Sequence, residues 1–67
     1  MKDLYLLIND KGEYVEVCYD AQSDLYVFLY EKDLYYAKTM EEIDEWAEHL
    51  LGSVKRGSFL DLPKTIR

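Results

Sequence analysis

The hydrophobic period of this chain changes once. Up to Ala37 the apolar residues come in short runs of strand length, and from Met40 they recur at helical spacing. Each kind of element has an apolar face to bury, and in a chain this short the natural cover is the other kind. The pattern therefore predicts an α+β, two-layer fold. An antiparallel meander of three or four strands carries one helix on one face, and an extended C-terminal arm follows.

The strand-like part divides at turn signals. Leu4 to Ile8 is a continuous apolar run, and Asn9-Asp10-Lys11-Gly12 after it reads as a hairpin turn. Glu13 to Tyr19 alternates, with Val15, Val17 and Tyr19 on one side and Tyr14, Glu16 and Cys18 on the other. Asp20 to Asp24 is a polar loop, and Leu25 to Tyr30 is a third strand. Glu31-Lys32-Asp33 breaks the run, and Leu34 to Ala37 resumes it, as a fourth strand or as the third continued past a bulge.

Thr39 with Glu42 three residues later forms a capping box, and Gly52 stands where a left-handed residue would end a helix. The spacing predicts a helix over Met40–Leu51. On its wheel Met40, Ile43, Trp46, Ala47, Leu50 and Leu51 fall within an arc of about 140°, which places Trp46 against the sheet. Residues 53–67 read as an arm of the same single domain, whose core is residues 1–52. Pro63 forbids a regular helix there.

Composition narrows the function. The chain has 67 residues, 14 acidic against 8 basic, a net charge of −6. A body this small has a marginal core and little room for a deep substrate cleft. The charge is divided: residues 1–51 hold 4 basic and 13 acidic side chains (−9), and residues 52–67 hold 4 basic and 1 acidic (+3). That balance argues against nucleic-acid binding, which needs clustered Lys and Arg to neutralise phosphates. Cys18 is the single cysteine, so no internal disulfide can form, and a cytoplasmic location is expected. Met1 to Tyr5 opens no signal-peptide pattern. The longest apolar run, Leu25 to Tyr30, is far too short to span a bilayer.

Two surfaces stand out. Sorting the strand residues by type gives an aliphatic set (Leu4, Leu6, Ile8, Val15, Val17, Leu25, Val27 and Leu29) for the helix to cover. It leaves an aromatic set: Tyr5, Tyr14, Tyr26, Phe28 and Tyr30. One helix cannot cover both faces, and a large uncovered apolar face on a small protein marks an interaction site. The aromatic face is therefore expected to be a protein interface, with self-association as a homodimer or larger homo-oligomer. The second surface is the helix face opposite the apolar arc. Glu41, Asp44, Glu45 and Glu48 form an acidic strip there with no Lys or Arg among them. The like-charged pairs at i,i+4 each cost about 0.2–0.5 kcal/mol. Such a strip either keeps the protein soluble or meets a basic partner.

Chemistry is sparse. His49 is the lone histidine, and without a second His or a thiol beside it no metal site is expected. Glycines at 12, 52 and 57 build no phosphate loop, and nothing selects a pair of carboxylates in a cleft. No cofactor, metal or catalytic residue is expected. The run Thr39-Met40-Glu41-Glu42-Ile43 after short strands resembles the strand-to-helix junction of HicB-type antitoxins over about a dozen residues, which implies a capped acidic helix after strands and no activity. The leading expectation is a small acidic, non-enzymatic protein-interaction module that self-associates through its tyrosine-rich sheet face. The alternative is an acidic inhibitor, of the kind found among phage and mobile-element proteins, whose helix occupies a basic site on a nucleic-acid-handling protein. A single-strand nucleic-acid binder, with the tyrosines stacking on bases, is the third reading.

Overall fold

The structure is a computed structural model and describes residues 2–58. Five strands and one helix follow in the order β1 (Lys2–Asn9), β2 (Tyr14–Asp20), β3 (Leu25–Tyr30), β4 (Asp33–Ala37), α1 (Met40–Leu51) and β5 (Val54–Gly57). The strands form one antiparallel sheet in the order β4-β3-β2-β1-β5, and the helix packs on one face of it. The expected two-layer α+β fold is what the chain adopts. The start of the expected arm is the fifth strand, paired antiparallel to β1 from Asn9↔Val54 to Leu6↔Gly57. The rest of the arm lies outside the described residues.

Local chemistry explains each junction. The Thr39 side chain accepts a hydrogen bond from the Glu42 N–H at 3.1 Å, and Glu42 Oε1 accepts one from the Lys38 N–H at 3.3 Å, so the helix start is capped from both sides. Gly52 takes φ +86° and donates its N–H to the Glu48 carbonyl at 2.9 Å, closing the last turn. Glu31 and Lys32 have φ of +50° and +75°, and Tyr30 pairs with Asp33 across them. That is a two-residue hairpin of the type I′ kind, so Leu34 to Ala37 belongs to a separate fourth strand and not to a bulged continuation.

The main correction concerns which sheet face the helix covers. Residues directly opposite on antiparallel strands share a face. Tyr5 pairs with Val17 and Leu7 with Val15. Tyr19 pairs with Tyr26, and Phe28 with Tyr35. The covered face is thus odd-numbered on β1 and β2 and even-numbered on β3. The aliphatic sorting had set β1 and β3 the other way relative to β2. Leu4 is an extra residue between the Asp3↔Cys18 and Tyr5↔Val17 pairs, which shows as a register shift. The core under α1 contains Tyr5, Leu7, Val15, Val17, Phe28, Ala37, Ile43 and Ala47, with Tyr26, Tyr30 and Tyr35 packed against it.

Candidate functional site

Of the five aromatic residues expected at an interface, four face the helix. Phe28 is 1% exposed and stacks on Tyr35 at 5.2 Å, and Tyr5 is buried in the same core. Tyr26 and Tyr30 are half-buried against the same cluster. Only Tyr14 lies on the uncovered face. The aromatic patch is therefore intramolecular core, and the open face is the one that carries the aliphatic residues of β1 and β3.

That open face is apolar all the same. Leu29 is 59% exposed, Leu34 and Tyr36 are each 49% exposed, and Tyr14 adds to them, on the same face as the buried Leu6 and Val27. Its centre is a depression of about 370 Å³ whose lining includes Tyr14, Glu16, Cys18, Val27, Leu29 and Leu34. The backbone explains its position. Strands β2 and β3 share only three rungs, Cys18↔Val27, Tyr19↔Tyr26 and Asp20↔Leu25. The depression lies beyond the end of this ladder, where Tyr14, Glu16 and Leu29 line it.

Cys18 lies at the edge of this depression. Its Sγ donates to Asp3 Oδ1 at 3.1 Å, and burial, with that hydrogen bond second, pushes its pKa up to about 11. A thiol so held stays protonated near neutrality and is a poor nucleophile.

The acidic strip is also redrawn. Asp44 leaves it: its Oδ1 accepts from the Tyr5 hydroxyl at 2.8 Å, and its Oδ2 accepts from Arg56 Nε at 2.9 Å and Nη2 at 2.7 Å. The Arg56 guanidinium lies 4.8 Å from the centre of the Tyr5 ring. This cluster ties the helix to both β1 and β5. Burial, followed by the hydrogen bond to Asp44, holds the Tyr5 phenol well above its ordinary 10.0. Glu41, Glu45 and Glu48 remain exposed on the helix surface.

Trp46 is the second correction on the helix. It was expected under the helix and is 46% exposed, because Ile43 and Ala47 form the buried centre of the apolar arc and Trp46 falls at its rim. Its ring meets Tyr35 at 5.6 Å and His49 at 6.4 Å. An open groove of about 480 Å³ beside it is lined by Glu42, Glu45, Trp46 and His49.

Asn9, a turn residue by its sequence context, does more. Its Nδ2 donates to Glu13 Oε1 and to the Leu51 carbonyl, and its Oδ1 accepts from the Lys11 and Glu13 N–H groups. One buried amide thus closes the β1–β2 turn and caps the end of the helix. The turn signal was in the sequence; the helix end it would meet was not.

Among the described residues no group of three or more His, Cys, Asp and Glu is placed to hold a metal ion, and no helix is long and apolar enough to cross a membrane. Set against known proteins, the chain matches no family model, no curated protein and no solved structure.

Proposed function

We propose that this chain is a non-enzymatic protein-interaction module that pairs with a second copy of itself through the open face of its sheet, in a reducing compartment such as the cytoplasm. The observation that carries this reading is the set of exposed Tyr14, Leu29, Leu34 and Tyr36 at and beside a largely apolar depression on the face that has no helix. A contiguous apolar patch of this kind on a small acidic protein is the signature of an interface. The occupant follows from charge. All the exposed carboxylates of α1 lie on the opposite layer, so two copies packed sheet to sheet hold their acidic helices outermost and far apart, and Glu16 is the one acidic side chain that lines the depression. Pairing along the β4 edge would set those helices side by side, since α1 packs over β4. In an isologous pair Leu29, exposed where it lines the depression, is available to enter the depression of the other copy.

The free, protonated thiol of Cys18 is what supports a reducing compartment. Against the nucleic-acid reading stands the burial of Tyr5 and Phe28, which removes two rings from any stacking platform.

Five strands spaced about 4.8 Å apart and about 20 Å long give a footprint of roughly 400–500 Å². That is the low end for a specific interface, so the dimer is expected at micromolar concentrations. Sedimentation equilibrium across the micromolar range tests it. Wild-type protein should approach twice its monomer mass of 8.0 kDa. Leu29→Lys should stay monomeric with unchanged thermal unfolding, because Leu29 is mostly exposed in the monomer. A wild-type protein that remains monomeric at several hundred micromolar overturns the reading.

A further inference from the structure

On the layer opposite the proposed dimer face, Glu42, Glu45, Trp46 and His49 are spaced three and four residues apart, so their side chains converge on one patch of the helix surface. An exposed tryptophan is unusual in a chain with so little core to spare, and this one stands over an open groove with two carboxylates beside it. Tyr35 holds the indole on one side at a 48° tilt, and His49 meets it edge-on at 68°. The ring is thus fixed by its neighbours while nearly half of the residue stays in solvent. Glu45 makes no hydrogen bond or ion pair among the described residues, and Glu42 uses only one oxygen, on the Lys38 N–H. No Lys or Arg occurs between Thr39 and Leu51, and Arg56 is already bound to Asp44 and Tyr5.

We infer that this groove binds an arginine side chain of a basic peptide segment, with the guanidinium stacked on Trp46 and its N–H groups directed to Glu42 and Glu45. The chemistry selects arginine. A planar, weakly hydrated guanidinium can lie on an indole face and still present its edge to carboxylates, whereas an ammonium gives up most of its hydration to do either. Charge complementarity selects the partner class, since the groove sits on a helix that holds five acidic side chains and no Lys or Arg, in a chain with net charge −6. The inference does not rest on self-association, because the groove and the open face lie on different layers.

Trp46 is the only tryptophan, so its emission reports the site directly. Full-length protein is titrated with a hexa-arginine peptide at low salt, with hexalysine and hexacitrulline as controls. The expected result is a saturable change in Trp46 emission with hexa-arginine, about fivefold weaker binding of hexalysine, and none of hexacitrulline. Glu42→Gln with Glu45→Gln should weaken hexa-arginine by about tenfold. Glu41→Gln with Glu48→Gln removes the same charge from the other flank of the strip and should weaken it by about twofold or less. Trp46→Leu, followed by calorimetry, should weaken binding by about fivefold. Equal losses in the two double-Gln variants would reduce the groove to nonspecific charge and overturn the proposal. So would an unchanged affinity in Trp46→Leu. The absence of any saturable emission change with hexa-arginine at low salt would overturn it as well.

Discussion

Asn9 uses all four hydrogen-bonding positions of its side chain inside the chain, and one of its partners, the Leu51 carbonyl, lies 42 residues away. Asn9→Ala leaves the Leu51 carbonyl and two turn N–H groups without their partner, which should cost about 2–3 kcal/mol in urea unfolding. Asn9→Asp should cost at least as much, because a carboxylate cannot donate to Leu51 and faces Glu13. Tyr5 gives a pH dependence. Its folded-state pKa lies above the ordinary 10.0, so the folded chain holds that proton more tightly than the unfolded chain does. The resulting stabilisation is whole below pH 10 and is lost as the pH rises through the folded-state value. Tyr19, through its hydrogen bond to Asp24, is raised in the same direction. Cys18 is raised to about 11 and adds the same sign. Urea midpoints should therefore be level between pH 7 and 9 and fall above pH 10. Tyr5→Phe should lower the neutral midpoint, through the lost bond to Asp44, and make the alkaline fall shallower. A Tyr5→Phe profile parallel to wild type would show that Tyr5 is not the group responsible.

At the scale of elements, the helix and the β3–β4 turn make opposite cases. The fully buried Ile43 is the anchor of α1, and Ile43→Ala should cost about 2–5 kcal/mol. Trp46→Ala should cost far less, about 1 kcal/mol, since the indole is half in solvent. The turn is strained, with Glu31 and Lys32 both at positive φ where neither is at ease. Lys32→Gly should therefore raise stability by about 0.5–1 kcal/mol by thermal unfolding, and a loss would show that the turn is not type I′. These elements also show what could be read in advance. The bounds of α1 were legible because its capping residues, Thr39 and Gly52, are local signals. Its rotation was not fully legible, because a 140° apolar arc fixes the centre only loosely, and Trp46 and Asp44 stand at opposite rims. That one sheet face would have no helix over it was legible, but which residues lie on that face was not. Face assignment depends on cross-strand register, a slip of one residue inverts a strand, and neither the extra Leu4 nor the Glu31-Lys32 turn has a distinctive sequence mark. The turn role of Asn9 was visible, and its bond to Leu51 was not, because that contact is made by the fold alone.

At the scale of the whole molecule, the two surfaces must answer salt in opposite ways. Two copies each carrying a charge of −6 repel one another, and the proposed dimer holds together by apolar contact on the layer away from the acidic helix. Added salt screens that repulsion and leaves the apolar contact intact, since the Debye length falls from about 30 Å at 0.01 M to about 8 Å at 0.15 M. The dimer dissociation constant, measured by sedimentation, should therefore tighten by a few-fold over that range. Hexa-arginine binding at Trp46 should instead weaken severalfold, because it draws on the attraction that salt screens. The two equilibria should also be independent. Leu29→Lys should leave the hexa-arginine affinity per chain unchanged, and Glu42→Gln with Glu45→Gln should leave the protein dimeric. Dimerisation that weakens with salt would place the contact on the charged layer and not on the open sheet face. Loss of peptide binding in Leu29→Lys would mean that the groove is completed only in the dimer.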